Sequence, residues 1–350
     1  MNSQLIYHIL IDRFFPSGSE DKNGNFKGGT IRGIISHLDY IRELGMTGIM
    51  LTPFSHSAAY HGYHTVDLDE VDPHFGTWDD VGRLVAEVHS RRMTIVADFV
   101  ANHCHSDSPI YKDGNHRDWF RRDTKGKVMT FAGIDCLPMF DTDNPQVRRY
   151  LTDKALRLCS AGFDAIRLDH ATGPTYGFWK YLRREIKRRY PDVVLIGEVW
   201  GAMDFRPRYR LRYAVNRLLY GAQEARQLEY VNVLDGLLDF RYHELIIDAI
   251  HKKESLTKKG RLYGKIKRHF KRYPADFGLW LFLDNHDLNR IFFECGFDET
   301  AMDNAIAFTE QWDKTVLWFY GTEKRLANTK SIFDGTPYAD ERVRMSLTNN

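Results

Sequence analysis

Short apolar runs alternate along the chain with longer amphipathic ones, the pattern of parallel strands joined by helices. The runs expected as strands are Ile6–Leu10, Gly48–Leu51, Thr94–Phe99, Ala165–Leu168, Val193–Ile196, Gly236–Leu238, Leu279–Leu283 and Thr315–Phe319. Between them, helical spacing predicts helices over Ile31–Leu44, Trp78–Arg91, Pro145–Ser160, Gly177–Tyr190, from Tyr242 onward, and over Glu299–Thr309. Asn144 before Pro145 gives a cap followed by proline at the first helical position. Gly45 supplies a C-terminal stop for the first helix. Eight parallel strands in this alternation predict a closed (β/α)8 TIM barrel.

Two stretches depart from the alternation. Residues 102–143 are too long for an ordinary connection and rich in Asp, Gly, His and aromatics, so they are expected as a short inserted lobe. The barrel would then comprise residues 1–101 and 144–350. After the eighth strand, Asn, Thr, Gly and Pro break the segment from Gly321 to Asn350 repeatedly. No eighth helix and no C-terminal β-sandwich are expected there, only a short turn over Asp340–Leu347. A barrel flank left bare in this way predicts a homo-oligomer.

Composition narrows the class. With 43% hydrophobic residues in 350, the chain can bury a large core, and 49 basic against 47 acidic residues give a formal charge of only +2. Such balance points to neither nucleic acid nor membrane as a partner. The densest charge lies between Lys252 and Arg272, where ten Lys or Arg accompany one Glu. Ile250, Leu256, Leu262, Ile266 and Phe270 interleave with it roughly as on an amphipathic helix with a solvated face. Four cysteines without CxxC spacing fit buried thiols in a reducing compartment. The start, MNSQLIYHILIDRFF, lacks the features of a signal peptide, so the cytoplasm is expected.

Candidate chemistry gathers where four of the apolar runs end: at DFVANH (98–103), IRLDH (166–170), IGEVW (196–200) and FLDNHD (282–287). Acidic residues at the ends of buried strands are costly unless they face a common site. Hydrolysis of a sugar acetal with retention needs a carboxylate nucleophile and a second carboxyl that donates and then accepts a proton, about 5–5.5 Å away. Period-two geometry sends Arg167 and Asp169 to one side of their strand, where the cation would keep Asp169 ionised as a nucleophile. Gly197, Val199 and Trp200 give Glu198 an apolar, aromatic setting that suits a proton donor. Asp287 could stabilise positive charge beside His286. Tyr63, Asp98 and His103 could hydrogen-bond or stack on a sugar. Taken singly, Asp98 or Asp169 is equally a helix cap, Arg167–Asp169 a structural ion pair, and Tyr63 a packing residue. His103 with His105, or His61 with His64, could bind metal, but no carboxylate or cysteine set completes four ligands.

In their order, the four segments resemble the conserved regions of the α-amylase family, glycoside hydrolase family 13. IYHILIDRF (6–14), LDYIRELG (38–45), LTP (51–53), GYHTVD (62–67) and VDPHFGT (71–77) extend the resemblance over most of residues 5–325. It implies Asp169 as nucleophile, Glu198 as general acid/base and Asp287 as transition-state stabiliser. Tyr63, Asp98, His103, Arg167, His286 and Trp200 would bind substrate, a maltooligosaccharide or other α-glucan. The segments LPMFDTDNP (137–145) and FLDNHDLNR (282–290) place it nearest the neopullulanases, cyclomaltodextrinases and maltogenic amylases. The Lys-His pair that often follows the nucleophile is replaced by His170-Ala-Thr-Gly, so the leaving-group side is expected to differ. Transglycosylation and a non-catalytic binding role are the alternatives. No cofactor for catalysis is implied; Asp21, Asn23, Asn25 and Lys27 resemble the family's calcium loop, with a structural role.

Overall fold

The sheet closes on itself. In the computed structural model, which describes residues 3–17, 25–201, 203 and 205–348, eight parallel strands form a barrel. Its strands are β1 (Leu5–Ile9), β2 (Gly48–Leu51), β5 (Thr94–Phe99), β6 (Ala165–Leu168), β7 (Val194–Gly197), β8 (Gly236–Leu238), β9 (Gly278–Phe282) and β10 (Val316–Phe319). They follow chain order round the barrel, and β1 pairs with both β2 and β10 to close it. A two-stranded antiparallel pair, β3 (Ser55–Ser57) and β4 (Thr65–Val71), stands beside it.

Helices wrap the outside: α1 (Ile31–Ser36), α2 (Leu38–Glu43), α3 (Trp78–Ser90), α4 (Pro109–Lys112), α5 (Pro145–Ser160) and α6 (Tyr176–Arg189). The remainder are α7 (Arg210–Tyr220), α8 (Ala222–Leu228), α9 (Phe240–His251), α10 (Arg261–Phe270), α11 (Ile291–Glu294) and α12 (Glu299–Glu310). The expected first helix is broken at His37, which separates α1 from α2. Asn144 caps α5 through its side chain, with Pro145 at the first helical position. In the basic stretch, helix is confined to α10, whose Leu262 and Ile266 are buried while Lys267 and Arg268 face solvent. Burying such a pair contributes about 1.5–3 kcal/mol each.

Inside the barrel, Ile6, Met50, Val96, Ala165, Ile196, Leu238, Trp280 and Leu317 form one apolar layer. Two residues further along, the same inward face carries His8, Asp98, Arg167 and Glu198, all buried. Strand period alone lifts these polar groups to the carboxyl end of the barrel. Residues 102–143 fold as short helical turns held by isolated bridges such as His103↔Met139 and Phe120↔Phe140. Beyond β10 the chain stays irregular but is not loose: Phe14 bridges to Leu347, and Val343 is fully buried. Large exposed apolar side chains concentrate instead on α7, at Leu211, Val215, Leu218 and Leu219. Among the described residues no helix is long and apolar enough to cross a membrane, and all four cysteines are free.

Candidate active site

Arg167 is the hub. Its Nη1 donates to both Asp98 oxygens and to Asp169 Oδ1, each at 2.8 Å, and Nη2 reaches Glu198 Oε1 at 2.7 Å. Tyr63 Oη donates to Asp98 Oδ2 at 2.8 Å. Side chains from β5, β6 and β7 thus converge on one guanidinium. Three carboxyls buried around one cation are weak evidence for stability, because desolvation rivals the Coulombic gain. They are better evidence for a site.

Glu198 Oε2 accepts from the backbone N–H of His170 at 2.8 Å. His170 holds a left-handed backbone (φ 39°), a strained conformation that aims this N–H at the carboxylate. The expected setting of Glu198 is only partly apolar: Trp200 lines the same cavity, but both carboxyl oxygens meet donors. Asp169 also differs from expectation. Burial pushes its carboxyl well up, against Arg167, and the neighbouring Glu198 and Asp98 carboxylates push the same way. Burial raises Asp98 as well, against Arg167 and Tyr63. The cation does not by itself offset the burial of Asp169.

Asp287 behaves oppositely. Against the cost of burial, His286 and Arg344 hold it far below the usual carboxylate range. Arg344 Nη2 donates to its Oδ1 at 2.8 Å, and His286 Nε2 lies 3.0 Å from its Oδ2. Tyr63 stacks on His286, with ring centroids 4.9 Å apart and planes 13° from parallel. His103 Nε2 lies 3.0 Å from the Tyr63 carbonyl, which can only accept, so that nitrogen carries the hydrogen. Burial lowers His103 to about 3. Gly62 makes Tyr63's position possible: its φ is +86°, and a Cβ there would sit 2.1 Å from the Pro53 carbonyl oxygen.

These groups line a cavity of about 700 Å³, with His61, His64, Phe131, Trp200, Met203, Phe333 and Tyr338 around it. Trp200 stacks on Phe240 at 5.4 Å. Asp98 and Arg167 sit behind the cavity, in contact with the groups that face it. Two participants were not singled out from sequence. His8 packs edge-on against His286, and period two from Ile6 would have found it. Arg344 comes from the irregular segment beyond β10, where no strand end marks it.

Of the positions resembling a calcium loop, Asp21 and Asn23 lie outside the described residues. The Lys27 N–H donates to Asp12 Oδ1 at 2.9 Å, and the Asn25 carbonyl accepts from Arg13 Nη1 at 3.1 Å. At the described half of this loop a guanidinium thus engages the Asn25 backbone carbonyl. Among the described residues, no three His, Cys, Asp or Glu gather as metal ligands, and this includes the pairs His103/His105 and His61/His64.

The family profile described as "Alpha amylase, catalytic domain" matches residues 8–133. Alpha-amylase 2 of Dictyoglomus thermophilum is 31% identical, over 98% of this chain and 58% of its own length. Neopullulanase 2 of Thermoactinomyces vulgaris is 29% identical, over 92% of this chain and 56% of its own. The crystal structure of an α-amylase from Geobacillus thermoleovorans complexed with acarbose superposes with a TM-score of 0.77 at 27% identity, covering 99% of this chain and 74% of that one. The chain thus spans little more than half the length of the curated relatives it matches. On this barrel, this ring of carboxylates and these similarities, the chain belongs to the α-amylase family of glycoside hydrolases.

Proposed function

We propose that the chain hydrolyses α-1,4 glucosidic bonds, and α-1,6 bonds in suitable substrates, of maltodextrins or cyclic maltooligosaccharides with retention of configuration. The observation that carries this reading is the single guanidinium of Arg167 shared by Asp169 and Glu198. It brings two carboxyls of unlike surroundings to one point at the cavity floor. Glu198 protonates the glycosidic oxygen while Asp169 attacks the anomeric carbon, forming a glycosyl-enzyme. Glu198 then takes a proton from the incoming water, which releases the sugar from Asp169. Burial raises Asp169 within this cluster, and the first step needs the proton on Glu198. Asp287, kept ionised by His286 and Arg344, faces the positive charge that develops on the sugar ring. No cofactor takes part. Four free cysteines fit a reducing compartment.

The test is turnover of maltoheptaose and a cyclodextrin by the wild type and Glu198→Gln, with product sizes resolved. Wild-type cleavage lost by at least about 1,000-fold in the variant is expected. Products longer than the substrate would show transfer instead of hydrolysis. Undiminished cleavage by the variant would remove Glu198 from the mechanism.

A further inference from the structure

A second cavity, of about 530 Å³, adjoins the first. Thr172 forms the shared wall: it lines the second cavity, and its Oγ1 donates at 3.2 Å to the carbonyl of Met203, which lines the first. Both belong to the loops that follow Asp169 and Glu198. The first of these loops also supplies the His170 N–H that Glu198 Oε2 accepts, so the second cavity lies beside the expected proton donor. The segment is also where His170-Ala-Thr-Gly replaces the expected Lys-His.

The lining is unusually cationic. Arg121, Arg122, Arg206 and Arg208 face Asp141 and Asp143. Asp143 is taken by Arg148 at 2.7 Å, and Arg122 donates to the Gly126 and Arg117 carbonyls. The guanidinium groups of Arg121, Arg206 and Arg208 hold no carboxylate among the described residues, although the Arg208 backbone N–H donates to the buried Glu229 at 2.7 Å; Arg148, Arg167, Arg183, Arg272 and Arg344 each hold one. Arg208 lies over the Tyr209 ring at 4.7 Å, and its buried Nε meets no acceptor. Tyr176 Oη donates to the Arg206 carbonyl at 3.1 Å, which fixes that loop against the cavity. A concave surface with this excess of guanidinium concentrates anions, and the planar fork matches phosphate or carboxylate oxygens.

We propose that this cavity binds an anionic group, a phosphate or a carboxylate, at the leaving-group end of an α-glucan oligosaccharide. The proposal rests on the glucan-hydrolase reading and specifies its substrate class: glucans anionic at the reducing end are preferred to neutral ones. Arg121, Arg206 and Arg208 hold the anion, and the partly exposed face of Tyr176 meets the adjoining sugar.

The experiment compares kcat/KM for maltoheptaose, its 1-phosphate and its aldonate, oxidised to a carboxylate at C1, at low and high salt. A gain of about tenfold or more for an anionic substrate, erased by high salt, is expected. A gain with phosphate alone identifies a phosphate site, and a gain with both a general anion site. The ratio of anionic to neutral kcat/KM should fall to about one in Arg206→Gln and separately in Arg121→Gln, which lie on different loops and whose folding is checked by melting. Equal turnover of all three substrates overturns the anion site and leaves the hydrolase reading standing. No turnover of any overturns the hydrolase reading. Calorimetric binding to the wild type then decides the anion site: tighter binding of the 1-phosphate or the aldonate than of maltoheptaose supports it, and equal binding overturns it.

Discussion

Asp287 is held down by two groups from elements that are far apart in sequence. His286 precedes it, while Arg344 arrives from the segment beyond β10 and also donates to the His286 carbonyl at 3.0 Å. The pair explains why Asp287 stays ionised where Asp98 and Asp169 are pushed up. Removing Arg344 should raise Asp287, since a depressed carboxylate rises when its cation leaves. In Arg344→Gln, kcat/KM for maltoheptaose is expected to fall about 10- to 100-fold. An undiminished kcat/KM would show that Arg344 does not tune Asp287. The sequence announced Asp98, Asp169, Glu198 and Asp287 because each ends an apolar run. Arg344 had no such marker, lying among Asp340, Glu341 and Arg342 with nothing to separate a site residue from surface charge. The electrostatics of Asp169 were also hidden, because a motif states the neighbours but not the cost of burying them together.

At the scale of elements, the helices inserted after β7 and β8 are tied together by one buried histidine. His269 of α10 places Nδ1 3.0 Å from Glu224 of α8, and Nε2 2.7 Å from Asp239, which caps α9. Burial opposes the charge, but the two carboxylates win and raise His269 to about 9. From Asp239 the network runs through Gln227 and Gln223 to the Val199 carbonyl, behind Glu198. A histidine raised on folding contributes stability that is complete below its unfolded value of about 6.5 and fades as pH climbs through about 9. The loss should approach about 3 kcal/mol, the linkage equivalent of that shift. Thermal melts across this window should show the decline, and His269→Gln, less stable overall, should lose the slope. A flat wild-type profile would mean the histidine is not charged. The barrel strands and most outer helices were legible as periodic runs. In α8, by contrast, Gln223, Glu224, Arg226 and Gln227 are all buried, and on α7 the apolar residues face solvent. Both reverse the polarity that periodicity relies on, so the sequence reading passed over them.

For the whole molecule, the irregular segment beyond β10 closes one side of the candidate active-site cavity, with Ile332, Phe333, Tyr338, Ala339, Asp340 and Arg344. Apart from the expected short turn, seen as a 3-10 helix over Ala339–Val343, no periodicity announced it, because side chains from the barrel hold its backbone. Arg13, after β1, donates to the Arg344 carbonyl at 3.1 Å, and its own carbonyl accepts from the Leu347 N–H at 2.8 Å. Arg290, after β9, is fully buried; its Nη1 donates to the Tyr320 carbonyl at 2.7 Å and its Nε to Val343 at 3.0 Å. Asn328 binds the Arg290 N–H and the Asn289 side chain, each at 2.9 Å. Arg290 is therefore the joint between barrel and cavity wall. Arg290→Met keeps much of the volume but leaves two carbonyls unpaired, at a cost of about 2–4 kcal/mol. The expected result is a lower melting temperature, faster proteolysis within residues 321–348, and a fall in kcat as Arg344 leaves Asp287. Lost activity with unchanged melting and protease resistance would contradict this role, because Arg290 would then act on the site without holding its wall. Adding Arg344→Gln to Arg290→Met separates the two effects. If the joint works through Arg344, the second substitution should lower kcat little further, since both act on one contact and their effects are not additive.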